Sequence, residues 1–179
     1  MCAWCAPTAT LVVAGTNFTN NGSITNVSVL FSPGACCPPL APNVAQTIGG
    51  NGNWTGNGGM TIAANSQIAL LNDVTFGAAS LTLNGSLSTG SFILTLPGSV
   101  AYAGTGEITG SLRRNGFSIG AAVAFGHPNT TIRFDSGTPP AELTVNVQPA
   151  LPPFFPNAVG RHYIITPTGG SGYAATVRL

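Results

Sequence analysis

Short apolar alternations recur along this chain, each cut off by Gly, Asn, Ser or Thr, and in the middle they repeat with a period. Met60/Ile62 is followed by Ile68/Leu70 and Val74/Phe76, then by Leu81/Leu83, Leu87 and Phe92/Leu94. A looser third set is Val100/Tyr102 with Ile108. Three short strands per roughly 20 residues is what one coil of a β-solenoid requires. Alternate side chains point into the coil, Gly or Asn turns the corners, and stacked coils align aliphatic, Thr or Asn residues in ladders. Residues 11–31 read similarly, through Leu11/Val13, Phe18, Ile24 and Val27/Val29/Phe31. A meandering sandwich produces comparable spacing, so the period alone leaves both architectures open.

Helix has little support. Residues 63–71 are the best local stretch, but Asn65, Ser66 and Asn72 interrupt it. Asn-Gly dipeptides begin at Asn21, Asn51, Asn57, Asn84 and Asn115, and each predicts a tight turn with φ > 0. The class is all-β. Residues 32–43, rich in Pro, read as a loop. After Arg113-Arg114 the strands lengthen and spread, at 118–125, 130–134, 143–147, 162–166 and 173–179, with Pro-rich connectors at 139–140 and 149–156. That texture suits an antiparallel sandwich. The expected division is a solenoid-like section over 1–114 with a Cys-rich start, and a sandwich-like section over 115–179. The chain closes inside the alternating strand 173–179, which fits a truncated longer protein or a strand completed by a neighbouring subunit.

Charge is scarce: there are five arginines, no lysine, four carboxylates and a net charge of +1. Too few cations are present to neutralise a nucleic-acid backbone, and no long-range field steers a charged partner. No apolar run approaches the roughly 20 residues of a membrane span. Near-neutrality also leaves little repulsion between copies, so self-association is open. No basic start and long apolar run follow Met1, yet the composition reads as extracellular, which implies a removed signal or a piece of a longer product. The cysteines cluster as Cys2-x-x-Cys5 and Cys36-Cys37. Structural disulfides between the clusters are the leading expectation. A four-cysteine zinc site and free thiols are the rivals, and adjacent ligands suit tetrahedral zinc poorly.

Two stretches carry a resemblance. One is AQTIGGNGNWTGNGGMTIAANSQIALLNDVTFGAASLTLNGSLSTGSFILTLPG (residues 45–98). The other runs from GTGEITGSLRR (104–114) to FPNAVGRHYIITPTGGSGYAATVRL (155–179). In this order they resemble large secreted bacterial surface proteins with β-solenoid repeats followed by a β-sandwich module. The resemblance implies a right-handed solenoid, a role as adhesin, stalk or fibre, and no catalytic residues to carry over. The Cys-rich beginning departs from that pattern.

No nucleotide-binding loop is present, because the Gly-rich stretch 49–59 lacks Lys and a following helix. His127 or His162 with Asp73 or Asp135 makes a triad only on paper, without a nucleophile elbow. Asp73, Glu107, Asp135 and Glu142 are each isolated in sequence, whereas glycan-cleaving enzymes need carboxylates in pairs. No catalytic, cofactor-binding or metal-ligating residue is therefore assigned. Arg113 and Arg114, with Glu107, are expected to cover the last coil at the section junction. Leu11, Val12, Val13, Phe154, Phe155, Tyr173, Val177 and Leu179 are the expected subunit contacts, since open apolar edges invite strand addition. The leading expectation is a non-enzymatic extracellular or cell-surface structural protein whose partners are copies of itself in a fibre. An adhesive module binding glycans or host and biofilm surfaces is the alternative, and a polysaccharide-degrading enzyme a third.

Overall fold

The structure, a computed structural model, describes residues 10–32, 45–98, 100–150 and 160–179. It is all-β, with no helix among the described residues. The first strands are β1 (Thr10–Val13), β2 (Asn17–Thr19), β3 (Ser23–Thr25), β4 (Ser28–Phe31), β5 (Ala45–Gly49) and β6 (Asn53–Ile62). The chain continues through β7 (Gln67–Leu70), β8 (Val74–Thr75), β9 (Gly77–Leu83), β10 (Ser86–Leu96), β11 (Ala101–Ala103) and β12 (Glu107–Asn115). It then forms β13 (Ala122–Phe125), β14 (His127–Thr138), β15 (Glu142–Gln148), β16 (His162–Thr168) and β17 (Ser171–Arg178).

Up to β12 the chain winds as a β-solenoid of about four turns, all its pairings parallel. One sheet stacks β1, β4, β6, β9 and β11; a second stacks β2, β5, β7, β10 and β12. The sequence period is the stacking period. Met60 sits on Leu81 and Leu81 on Tyr102, while Ile68 sits on Leu87 and Leu87 on Ile108. Each aliphatic rung lies between the two sheets, and Ile62, Leu83, Leu87, Ile108 and Leu112 are wholly buried. Aromatic rings continue this core into the earliest coils: Phe18 meets Phe31 edge-on at 5.6 Å and Trp54 at 5.6 Å, and Trp54 meets Phe76 at 5.5 Å. Polar residues close the corners. The Asn72 amide accepts from Gly50 N (2.7 Å) and donates to Gly50 O (3.0 Å), clamping one coil to the next.

The Asn-Gly expectation holds only at Asn115-Gly116, where the glycine has φ +68°. At the other Asn-Gly pairs neither residue has positive φ. Gly85 shows why Gly is needed there all the same. A Cβ on it would strike the carbonyl oxygens of Ser66 and Ala63 in the preceding coil. Close stacking of parallel coils, and not hairpin reversal, selects these glycines. The weak helical stretch at 63–71 resolves into a corner, with Asn65 at φ +69°, followed by β7.

At β12 the pairing changes sense. β15 joins β12 antiparallel, with Leu112 opposite Val145, and β16 extends the same sheet antiparallel to β15. A separate three-stranded antiparallel sheet is ordered β13, β14, β17. The change in sequence texture near residues 113–117 coincides with this switch. Sheet and core nevertheless run on across it: Phe125, Ile132, Phe134, Leu143, Val145 and Val147 belong to the same buried cluster as the solenoid rungs.

Candidate functional site

Two places concentrate chemistry: the junction where the last coil meets the third sheet, and the outer edge where β16 and β17 end both layers. The junction is built around Arg114, which alternation on β12 turns inward. Only 2% of it is exposed, and its guanidinium donates to backbone carbonyls of Val100 (2.7 Å), Ala124 (3.2 Å) and Pro97 (3.4 Å). Burial lowers its pKa to about 10, opposed by the nearby Tyr102. Tyr102 donates its hydroxyl to Gly126 O at 2.9 Å. Burial first, and then the charge of Glu107, raises the phenol well above its ordinary range, while Arg114 pulls the other way. A cavity of about 260 Å³ adjoins the pair, walled by Gly98, Val100 and residues 122–124.

Arg113 points to the opposite face, 3.7 Å from Glu142 and 3.4 Å from the Thr144 hydroxyl. Glu107 pairs with neither junction arginine; its partner is Arg161, at 2.6 Å. The remaining carboxylates also have separate partners. Asp73 accepts from Ile93 N (2.9 Å), and Asp135 accepts from Thr176 and Arg133 (each 2.7 Å), which hold its carboxyl below the usual range. No cluster of three or more metal-ligating side chains occurs among the described residues. His127 Nδ1 accepts from Asn129 N (3.1 Å), and the His162 ring lies 3.2 Å from Ala150 O.

Tyr102→Phe isolates the phenol's contribution. The folded pKa is raised, so the stabilisation is complete below the unfolded value of 10.0 and is lost as pH rises above it. Arg114 acts oppositely, its folded pKa of about 10 lying below the ordinary guanidinium range, but it is common to both proteins. At pH 8 the variant should lose about 1 kcal/mol with the bond to Gly126. Near pH 11 that deficit should vanish, because a pKa unit corresponds to about 1.4 kcal/mol. Urea melts of both proteins at the two pH values check this.

The second place is an apolar groove of about 520 Å³, lined by Arg161, His162, Tyr163, Ile165 and Leu179. Antiparallel partners share a face, so Ile165 stands on the side of buried Val145, and Tyr163 on that of buried Val147. On β17, Val177 shares the face of buried Ile132. Yet Ile165 is 39%, Val177 45% and Leu179 66% exposed. Ile165 and Val177 occupy core-facing positions without a core over them. At the other end of the stack, Leu11 (40%) and Val12 (45%) are exposed on β1, although Leu11 lies in register with buried Val29.

The sequence-derived contact residues thus separate. Leu11, Val12, Val177 and Leu179 are exposed; Tyr173 is half-buried, edge-on to Phe134 at 5.3 Å. Val13 is a correction, being buried in register with Phe31 and unavailable to a neighbour. Phe154, Phe155 and the four cysteines lie outside the described residues. The sequence reading does not single out Ile164 and Ile165, although an apolar doublet inside a strand is a visible signal of two apolar faces. Comparison with protein-family models, with curated proteins and with solved structures returned no match.

Proposed function

We propose that this chain is a non-enzymatic, extracellular structural protein that self-assembles into a surface fibre, with residues 115–179 acting as a sandwich-like cap on the solenoid. The observation that carries this reading is the exposure of Ile165 and Val177 on faces whose register neighbours are buried. A surface of this kind is normally found covered by another chain. The scarcity of charge supports it, since little repulsion opposes close approach of copies. Disulfides among Cys2, Cys5, Cys36 and Cys37 belong to the same proposal, as does the adhesin, stalk or fibre type of the bacterial surface proteins the sequence resembles.

The glycan-binding alternative calls for exposed rings on one face. The described aromatics are all buried or half-buried, and the polar hollow on the second sheet is lined by Ser88, Thr109, Asn146 and Gln148 without a ring. The enzyme reading calls for paired carboxylates, whereas Asp73, Glu107, Asp135 and Glu142 each have separate partners. Sedimentation over a wide concentration range, with electron microscopy of the concentrated sample, tests the proposal. Concentration-dependent oligomers or filaments are expected; a chain that stays monomeric throughout overturns it.

A further inference from the structure

We infer that the groove between β16 and β17 receives the first-coil end of a second copy of this chain, the end that exposes Leu11 and Val12. This rests on the self-assembly reading above and adds to it a direction and a pair of surfaces. The groove's apolar lining is Tyr163, Ile165 and Leu179, and its Arg161 is already paired with Glu107 at 2.6 Å. An incoming cation would lose its hydration beside Arg161 and gain no counter-ion, because Glu107 is already engaged. A surface that is apolar and uncharged matches the lining of Tyr163, Ile165 and Leu179.

This chain carries such a surface. Residues 1–72 contain no Asp, Glu, Lys, Arg or His; every ionisable side chain of those types lies between Asp73 and Arg178. The described part of that neutral region includes β1, whose second edge is unpaired among the described residues and whose Leu11 and Val12 are exposed. Groove against groove is the less favourable match. It would bring together two copies of Arg178, which neighbours Leu179 and has no acidic partner among the described residues, along with two copies of His162.

The two surfaces lie at opposite ends of the stack, β1 closing one sheet and β16 the far side of the other. A contact between unlike patches at opposite ends does not close on itself, so it propagates as a filament. Each copy then covers the open first coil of its neighbour, the end of the repeat that no strand of the described chain covers.

Complementation of the full-length chain tests the pairing. Ile165→Glu disables the groove and leaves the first coil intact; Leu11→Glu does the reverse. Each variant alone should require more than about tenfold higher concentration to assemble than the wild type, a penalty of about 1.4 kcal/mol or more per contact. An equimolar mixture should give a discrete heterodimer by sedimentation and native mass spectrometry, because one good contact remains and it cannot propagate. Leu179→Glu and Val12→Glu serve as the second pair if either first variant fails to fold, as judged by its urea midpoint. If Leu11→Glu and Val12→Glu assemble like wild type while the groove variants do not, the groove binds another surface and the inference fails. Absence of a heterodimer from two folded, assembly-defective variants also overturns it. A wild type that is itself monomeric, with Ile165→Glu destabilised, assigns the groove to the chain's own residues and overturns the self-assembly reading instead.

Discussion

Arg114→Met is expected to lower the free energy of unfolding by about 3 kcal/mol, which makes a single buried cation the most sensitive point of the junction. The guanidinium reaches three carbonyls from different segments: Pro97 and Val100 on either side of the turn after β10, and Ala124 in β13. It therefore ties the last coil to the third sheet. Methionine preserves the apolar stem but takes this donor from the Val100 and Ala124 carbonyls in a site that is 2% exposed, where an orphaned group costs about 1–3 kcal/mol, while Pro97 O keeps its bond from Val100 N (3.0 Å). Part of that loss is offset, because burial already disfavours the charge, as the fall of the pKa to about 10 reports. The Nε, buried without a partner, adds to what methionine relieves. Arg114→Lys should fall between the two, since one ammonium cannot match the planar fork toward three acceptors. Urea denaturation with the m-value monitored is the measurement. A loss below about 1 kcal/mol for Arg114→Met would mean that the junction is held by apolar contact alone.

Phe31→Ala should cost about 3–5 kcal/mol, the range for emptying a well-packed aromatic site. Phe31 is fully buried, in register with Val13 on one side and Ile62 on the other, and its ring meets Phe18 edge-on. Its carbonyl is engaged as well, accepting from Ala63 N (3.0 Å) and the Ser66 hydroxyl (3.2 Å). Removing the ring opens a void where three coils meet, and the parallel backbone ladders on both sides resist collapse into it. Leu30, adjacent in sequence but on the outer face, is the control: Leu30→Ala should cost less than about 1.5 kcal/mol. Equal losses at the two positions would show that inward and outward faces are not distinguished, contrary to the alternation that builds every coil.

The repeat from Met60 to Ile108 was legible because it is written in nearest-neighbour terms. Side chains alternate with period two along a strand, and coils of nearly constant length put Met60, Leu81 and Tyr102 on one ladder. The earliest coils were harder to read. Val29 stacks on Met60 across a longer excursion that breaks the period. The role of Gly85 was misread as a turn signal for a related reason: the same residue type serves a reversed backbone and a close approach between coils, and only the neighbouring carbonyls tell them apart. At the junction, Arg113 and Arg114 are adjacent in sequence, yet alternation sends one to Glu142 and the other into the core.

The strand class and the repeat could both be derived from the chain, because each depends on local stereochemistry and on which side chains leave water. The pairing of Glu107 with Arg161, fifty-four residues apart, could not. Nor could the register of β15 on β12 or the apolar faces left open on β16 and β17. Those follow from which distant strands meet and in what register, and many arrangements share the same alternation. The free energy that selects among them comes from burial summed over the whole stack, and it is set only when the sheets are assembled.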